Sequence, residues 1–284
     1  MSANTAHAIL ITGCSTGIGR ATASLLAGRG FTVYATARRL ESIADLEQQG
    51  CRTLALDVTD EASMEAAVGE VEAAEGVGVL INNAGYSQSG AIESVEMDAI
   101  RRQFETNVFG AIRMCQLVLP GMRERGQGTI VNIGSMGGRL VFPGGGVYHA
   151  TKHALEAVSD ALRFEVKGFG VDVIHVQPGA IRTEFANTVV SQLDEGTEES
   201  GPYAAFNAAV GQATKDAYDR GPMKLLGGDA EDVAKAIGKA ITAKRPPIRL
   251  RITPSAKLLL TQRALMPDRV WDGFVGTQFP RPGA

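Results

Sequence analysis

Tyr148 and Lys152 are two side chains of this sequence whose types and spacing could move a proton. Residues four apart on a helix share one face, so a helix here would place the phenol beside the ammonium group. A nearby positive charge lowers the pKa of a tyrosine from its ordinary value of about 10. Such a tyrosine could exchange a proton with a substrate oxygen. The spacing alone is weak, because a chain with five tyrosines often contains it by chance.

A glycine-rich turn, GCSTGIG from Gly13 to Gly19, follows a short apolar run near the N-terminus. Its glycines would let the backbone turn tightly and approach a pyrophosphate, which the N-terminus of the next helix would stabilise. The spacing differs from the Gly-x-Gly-x-x-Gly pattern of dinucleotide-binding folds. For this motif alone, an ordinary turn between a strand and a helix is the alternative.

The elements that must position these residues alternate between short apolar runs and longer segments of helical period. This alternation is typical of βαβ units and a parallel sheet. The sequence therefore predicts an α/β fold, a Rossmann-type doubly wound sheet of seven parallel strands in a single domain. The predicted strands are residues 8–12, 31–36, 52–58, 77–83, 128–135, 171–179 and 248–252. The main predicted helices are residues 17–28, 97–123, 149–167 and 229–243.

Polar residues and glycines cluster directly after the predicted strands. Ligands of doubly wound sheets bind at the carboxyl ends of the strands, so this clustering indicates one shared site. The clustered positions are Gly13, Arg38, Asp57, Asn82 to Gly85, Ser135 and Pro178 to Thr183.

Motifs in a fixed order resemble those of the short-chain dehydrogenase/reductase family. They are TGCSTGIG, NNAG, NVFG, Ser135, YHATK and PGAIRTEF, and the resemblance covers about residues 8–185 well. Several strings are most similar to the subgroup resembling 17β-hydroxysteroid dehydrogenases, although acyl-dihydroxyacetone-phosphate reductases share some of them. The resemblance does not name a substrate.

The resemblance implies reduction of a ketone or aldehyde, or oxidation of a secondary alcohol, by hydride exchange with a nicotinamide. Tyr148 would be the acid or base, and Lys152 would lower its pKa and bind the nicotinamide ribose. Ser135 would hold the carbonyl oxygen. Asn107 would order a water that links Lys152 to solvent. The alternative for Ser135 is a helix or turn cap.

The resemblance also implies a cofactor site spread over the strand ends. Asn83 to Gly85 would line the adenosine ribose, and Asp57 would accept a hydrogen bond from the adenine amino group. Asp57 could alternatively cap the following helix. The predicted cofactor-binding residues are Gly13, Ser15, Thr16, Gly17, Ile18, Gly19, Arg38, Arg39, Asp57, Val58, Asn83, Ala84, Gly85, Asn107, Tyr148, Lys152, Pro178, Gly179, Ile181 and Thr183.

Two arginines indicate which dinucleotide is bound. Folds that bind NAD place an acidic residue after the second strand, where it accepts bonds from the ribose hydroxyls. Arg38 and Arg39 occupy that place here, and a guanidinium binds phosphate with fork geometry. The sequence therefore predicts NADP(H), with solvated surface arginines as the alternative.

The segment from about 184 to 228 is too long for an ordinary loop, and the resemblance implies a helical lid that selects the substrate. Its apolar residues, together with an apolar wall near Tyr148, predict an apolar carbonyl substrate such as a steroid, retinoid or acyl chain. The C-terminal extension, about 254–284, is expected to pack on its own domain or a partner subunit; a membrane-surface helix is the alternative. The predicted substrate-binding residues are Ser135, Tyr148, Val141, Phe142, Val147 and Phe185.

Composition narrows the class of protein. A net charge of −3 over 284 residues is unlike a nucleic-acid-binding surface. Three scattered cysteines predict free thiols in a reducing compartment, and no apolar stretch reaches membrane-spanning length, so a cytoplasmic protein is expected. His149 and His153 lie four apart, but without a clear third ligand they are interpreted as helix-surface or interface residues, and no metal is expected.

The helices at 97–123 and 149–167 carry small and apolar residues on more than one face. A helix that is apolar on several faces needs cover beyond its own sheet, which predicts a homodimer or homotetramer. Two non-enzymatic alternatives are a regulator that senses NADP without turnover and a scaffold. Neither would need the serine, the asparagine and the tyrosine–lysine pair together.

Overall fold

The central sheet of the molecule follows the predicted order of strands. The computed structural model describes residues 7–183, 201–219, 225–279 and 281–282. In chain order the strands are β1 (Ala8–Ile11), β2 (Val33–Ala37), β3 (Arg52–Ala55), β4 (Val77–Asn82), β5 (Gly128–Ile133), β6 (Val171–Gln177), β7 (Ile181–Arg182), β8 (Gly228–Asp229) and β9 (Arg249–Arg251). Seven of them form one parallel sheet in the order β3-β2-β1-β4-β5-β6-β9, and β7 and β8 form a separate pair. The predicted seven-stranded parallel sheet is confirmed.

Helices cover both faces of the sheet. In chain order they are α1 (Gly17–Gly28), α2 (Glu61–Ala74), α3 (Met97–Phe104), α4 (Gly110–Glu124), α5 (Gly146–Glu165), α6 (Ala204–Asp219), α7 (Ala230–Ile241), α8 (Pro254–Leu265) and α9 (Asp268–Gly276). The continuous helix predicted at 97–123 is wrong in one respect, because a π-helical turn, Glu105–Phe109, separates α3 from α4. This turn contains Asn107.

The core consists of two apolar layers, one on each face of the sheet. Side chains alternate along a strand, so Ile9 and Ile11 of β1 belong to the layer shared with α1 and α7. Ala8 and Leu10 belong to the opposite layer, which is shared with α2 and α4. Burial on both faces explains why these strands read as continuous apolar runs rather than as alternating ones.

The strand order reverses beside β1, which pairs with β2 on one side and with β4 on the other. Hydrogen bonds join the segments that leave β1 and β4 at this point. The Thr12 hydroxyl accepts bonds from the backbone N–H groups of Asn83 and Ala84, each at 3.0 Å. The Asn83 amide donates to the carbonyl oxygens of Thr12 and Gly13 at 2.9 and 2.8 Å. The crevice between the two segments is therefore held at a fixed width.

The C-terminal extension packs on its own domain, as one of the two predicted arrangements had it. Leu259 and Leu260 of α8 and Trp271 and Val275 of α9 form an apolar cluster with Leu140. In the ranges that the structure describes, no helix is long and apolar enough to cross a membrane. Of the predicted lid, α6 is described, whereas Phe185 lies outside the described residues.

Candidate active site

A cleft of about 960 Å³ runs along the carboxyl ends of the central strands. Most of the predicted site residues line it, and so do residues of α6, α8 and α9. The structure thus brings together side chains that are far apart in the chain. The predicted residues on the cleft wall are Gly13, Ser15, Thr16, Gly17, Ile18, Arg38, Asp57, Val58, Asn83, Ala84, Gly85, Ser135, Phe142, Tyr148, Lys152, Pro178, Gly179, Ile181 and Thr183.

The glycine-rich turn after β1 has a shape that only glycine permits. Gly13 and Gly17 have φ angles of +72° and +59°, which L side chains rarely adopt. A Cβ on Gly13 would lie 2.8 Å from the Cα of Ala84, and a Cβ on Gly19 would overlap the Asn83 amide. α1 begins at Gly17, and its N-cap residue Thr16 makes no side-chain capping bond. The turn and the positive end of the helix therefore fit a dinucleotide pyrophosphate.

Asp57 faces the cleft and forms its own turn. One carboxylate oxygen of Asp57 accepts bonds from the N–H and the hydroxyl of Thr59, at 2.9 and 2.8 Å. The N-cap of α2 is instead Asp60, which accepts a bond from the N–H of Ser63 at 3.1 Å. The alternative in which Asp57 caps the next helix is therefore wrong.

The two arginines after β2 differ in position. Both are exposed, but Arg38 lines the cleft and Arg39 does not. The carbonyl oxygen of Arg39 accepts bonds from the backbone N–H and the hydroxyl of Ser42, and the chain turns away from the cleft there. The structure therefore favours Arg38 over Arg39 as the arginine that contacts a ligand in the cleft.

Lys152 is buried at the catalytic end of the cleft, with 6% of its surface exposed. Its Nζ donates a hydrogen bond to the carbonyl oxygen of Ile133 at 2.8 Å and lies 5.7 Å from the centroid of the Tyr148 ring. Burial favours the neutral amine and lowers the pKa of Lys152 to about 8.

Tyr148 and Ser135 meet across the cleft. Burial raises the pKa of Tyr148 to about 12, and a hydrogen bond with Ser135 opposes this rise. The predicted lowering of this pKa is therefore wrong for the protein alone, because desolvation of the phenolate dominates. Ser135 also accepts a bond from the N–H of Gly137 at 3.0 Å, so it caps the short helical turn after β5 as well.

Asn107 sits behind the cleft wall, in the π-helical turn, a feature that is frequent at functional sites. Its amide exchanges two hydrogen bonds with the backbone of Tyr86, at 3.1 and 2.9 Å, and donates to the Thr151 hydroxyl at 3.1 Å. A Cβ on Gly85 would lie 3.0 Å from the Asn107 Oδ1 and 3.8 Å from the Lys152 Nζ. Asn107 Oδ1 and Lys152 Nζ therefore both lie near the place that a Gly85 Cβ would occupy. A water that links the two residues stays a prediction.

Comparison with known proteins identifies the family. The family model described as short chain dehydrogenase matches residues 7–194. The chain belongs to the short-chain dehydrogenase family. It is 36% identical over 266 residues to a 3-ketodihydrosphingosine reductase of Bacteroides thetaiotaomicron, covering 92% of this chain and 94% of the relative. It is 31% identical over 275 residues to an NADPH-dependent 3-dehydrocapnine reductase of Ornithobacterium rhinotracheale, covering 93% and 94%.

Solved structures agree with the fold of this short-chain dehydrogenase. A short-chain dehydrogenase from Streptomyces avermitilis superposes with a TM-score of 0.78 at 35% identity, over 96% of each chain. The closed form of a serine dehydrogenase complexed with NADP⁺ superposes with a TM-score of 0.73 at 28% identity, over 87% of this chain and 94% of that one. The predicted family is confirmed, and the protein is an oxidoreductase of the NAD(P)-dependent type.

Some predicted residues of this short-chain dehydrogenase are not on the cleft wall. Val141 is 46% exposed and Val147 is buried, and neither lines the cleft, whereas Phe142 does. Gly19 and Asn107 lie just behind the wall. The apolar end of the cleft is built mainly from residues that sequence reasoning missed: Leu140, Val210, Leu259, Phe274 and Phe279. These residues come from distant elements, so no local spacing could reveal them.

The interpretation of His149 as a helix-surface residue is wrong. Its side chain is buried on the wall of the cleft. His149 precedes Lys152 by three residues and Glu156 by seven in α5, so all three side chains lie on one face of the helix. That spacing was the available signal. Among the residues described, no group of three histidine, cysteine or acidic side chains could hold a metal ion.

Proposed function

We propose that this short-chain dehydrogenase reduces an apolar ketone to a secondary alcohol with NADPH. The observation that carries the proposal is the placement of Ser135, Tyr148 and Lys152 at one end of the cleft and of Arg38 at the other. A dinucleotide held by the glycine-rich turn between these ends would span both. When bound, it supplies the hydride that the carbonyl carbon accepts.

NADP(H) is favoured over NAD(H) by charge. The cleft wall after β2 carries the Arg38 guanidinium where a carboxylate would select the free ribose hydroxyls. A guanidinium can donate two parallel bonds to a phosphate, whereas a carboxylate would repel it. The NADPH-dependent 3-dehydrocapnine reductase and the serine dehydrogenase with NADP⁺ support the same choice.

Ser135 and Tyr148 would both donate hydrogen bonds to the carbonyl oxygen of the substrate. Because its pKa is raised to about 12, Tyr148 is a neutral phenol at pH 7 and has a proton to give. As the alkoxide forms, the phenol transfers this proton, and the Lys152 ammonium stabilises the phenolate that remains. A neutral phenol suits reduction better than oxidation, which requires the phenolate at the start.

The substrate end of the cleft is apolar. Leu140, Phe142, Leu259, Phe274 and Phe279 surround the space beyond Tyr148, and such walls favour ligands with an alkyl chain or fused rings. The relative named 3-ketodihydrosphingosine reductase acts on a keto compound, which agrees with a ketone as the substrate here.

Loss of NADPH absorbance in the presence of long-chain ketones tests the proposal. Tyr148→Phe should bind NADPH nearly as well as the wild type. Its turnover should fall by a factor of about a hundred or more, because general acid catalysis contributes a factor of about 10²–10⁴. Tyr34→Phe is a matched control, since the Tyr34 hydroxyl bonds to Glu75 at 2.5 Å, away from the cleft. NADPH binding without any ketone-dependent oxidation would support the regulator that senses NADP instead.

A further inference from the structure

His149 lies in the substrate half of the cleft, and neither the proton transfer nor cofactor binding uses it. It is 8% exposed and lines the cleft directly after Tyr148 in the chain. Its ring centroid lies 5.6 Å from that of Tyr148 and 6.2 Å from that of Phe142. The imidazole is therefore a polar group of the cleft wall that lies beside two aromatic rings.

The hydrogen bond of the ring determines its tautomer. Nδ1 lies 3.2 Å from the carbonyl oxygen of Gly137, and a carbonyl oxygen can only accept. Nδ1 must therefore carry the hydrogen. Burial lowers the pKa of His149 to about 4, so the ring is neutral at pH 7 and Nε2 holds a lone pair.

The Nε2 edge of the imidazole packs beside the backbone of Gly145. A Cβ on Gly145 would lie 2.8 Å from Nε2, so a larger residue there would press on this nitrogen. Gly145 itself lines the cleft. In the described part of the chain, the His149 ring makes the one hydrogen bond from Nδ1, and no donor is directed at Nε2.

We propose that Nε2 of His149 accepts a hydrogen bond from a hydroxyl or amino group that the substrate carries near its carbonyl. The inference rests on the proposed ketone reduction and narrows it to hydroxy- or amino-ketones with an apolar chain. A buried acceptor that a ligand leaves unpaired costs free energy, so such a site discriminates against the analogue that lacks the donor. The closeness of the Tyr148 ring places this donor within a few bonds of the carbonyl carbon.

The same ring also supports the catalytic serine. His149 holds the turn at Gly137, and the N–H of Gly137 donates to the Ser135 hydroxyl at 3.0 Å. Losing this support would slow every ketone alike. Losing the Nε2 acceptor would slow only ketones that carry the donor, so the two roles can be separated by comparing substrates.

Two amide substitutions separate the two nitrogens. In His149→Asn, the amide N–H can replace Nδ1–H toward Gly137, but nothing replaces the Nε2 lone pair. In His149→Gln, the longer amide reaches the place of Nε2 and leaves the turn unsupported. Each variant is assayed with NADPH and dodecan-3-one, and with three ketones that add a donor: 1-hydroxydodecan-3-one, 1-hydroxydodecan-2-one and 1-aminododecan-2-one.

The measured quantity is the ratio of kcat/KM for each donor-bearing ketone to that for dodecan-3-one. For the wild type, at least one ratio should reach about three- to tenfold, the effect of one neutral hydrogen bond. In His149→Asn this ratio should fall to about one, and in His149→Gln at least half of it should remain, even if every ketone is reduced more slowly. His153→Asn is the matched control, since His153 is exposed, lies outside the cleft and should keep the wild-type ratio.

A wild type that reduces dodecan-3-one but prefers none of the three donor-bearing ketones would overturn the inference and leave the proposed reaction standing. This comparison does not depend on whether the variants fold. A preference that survives in His149→Asn would also overturn it. Wild-type protein that reduces none of the ketones with NADPH would overturn the proposed reaction and the inference together.

Discussion

At the residue scale, burial shifts the two ionisable groups of the catalytic end in opposite directions. The pKa of Lys152 is lowered to about 8 and that of Tyr148 is raised to about 12. Both shifts have the same cause, since a desolvated site disfavours the charged form of either group. Reduction of a ketone needs Tyr148 as the neutral phenol and Lys152 as the charged ammonium. The two pKa values together therefore set the pH range in which the site can work.

We expect reduction to weaken above pH 8. Lys152 loses its charge near this value in the free enzyme and then no longer stabilises the phenolate that Tyr148 becomes. kcat/KM for NADPH, which reports groups of the free enzyme, should be level below about pH 8 and fall above it. A profile that stays level to pH 10 would show that the Lys152 charge does not limit the reaction in this range.

Arg38 carries the prediction on cofactor choice. Arg38→Asp removes a charge-assisted donor and adds a repulsive carboxylate, so NADPH binding should weaken by about 1.5–3 kcal/mol or more. NADH binding should change little or improve, and the preference for NADPH should shrink at least about tenfold. The readout is KM for both cofactors.

Arg39→Asp is the matched control for this change, because Arg39 has the same charge and exposure but does not line the cleft. Its effect on the preference should be much smaller. If the Arg38/Arg39 double variant keeps the wild-type preference for NADPH, the phosphate is bound elsewhere.

At the element scale, a buried ionic cluster fixes α5 against the sheet. Glu156 accepts hydrogen bonds from Gln177 of β6 at 2.8 Å and Arg249 of β9 at 2.6 Å, and the Nε2 of His175 of β6 lies 2.9 Å from the same carboxylate. Burial raises the pKa of Glu156, but the bonds from His175, Arg249 and Gln177 outweigh it and hold the pKa well below its ordinary value. Glu156 lies one helical turn beyond Lys152, so the cluster also fixes the helix that carries the site.

Glu156→Gln should lower the free energy of unfolding at pH 7 by about 3 kcal/mol, because it removes the negative charge that its partners face in the cluster. The pKa of Glu156 is lower in the folded than in the unfolded state. Its contribution is therefore complete above the unfolded value of about 4.3 and is lost as the pH falls toward the folded value.

The difference between wild type and Glu156→Gln in urea unfolding should thus be largest near pH 7 and shrink below about pH 4. Glu165→Gln, an exposed position on the same helix, is the control and should change little. A difference that stays constant from pH 7 to pH 3 would contradict a charged Glu156 in the folded protein.

Elements and motifs were largely predictable from the sequence, whereas the cleft wall was not. Strand runs and the Tyr148–Lys152 spacing depend on local periodicity, which a single sequence shows directly. The π-helical turn around Asn107 could not be predicted, because no proline or glycine marks the extra residue inside it. The wall at Phe274 and Leu259 depends on how α8 and α9 pack, which is a property of the whole chain.

At the scale of the whole molecule, one face of α5 is the proposed subunit interface. Ala150, Ala157 and Ala161 are exposed along one side of the helix, and Phe164 on the same side is 75% exposed. A row of small residues allows close approach of a second helix, and a large exposed aromatic side chain favours burial. We propose a homodimer or homotetramer that uses this face, together with the neighbouring α4.

Phe164→Glu should weaken this assembly, because it would place a charge in a desolvated contact. Sedimentation at micromolar concentration should show a dimer or tetramer for the wild type and smaller species for the variant. Leu265→Glu is the control, since Leu265 is 79% exposed but belongs to α8 rather than to the proposed face of α5, and it should leave the assembly intact. A wild type that sediments as a monomer would overturn the proposal.

Three polar side chains in adjacent strands lie beneath the cleft. Asn82 of β4 is in register with Asn132 of β5, which is in register with His175 of β6. The Asn82 amide donates to the Asn132 side-chain oxygen at 3.0 Å, and Ser159 joins Asn132 and His175 at 2.9 and 3.0 Å. A slip of one residue between these strands would turn the amides to opposite faces and leave them unpaired, at about 1–3 kcal/mol each. The apolar residues around them would tolerate many pairings, so we expect this row of amides and imidazole to select the native alignment of strands while the chain folds.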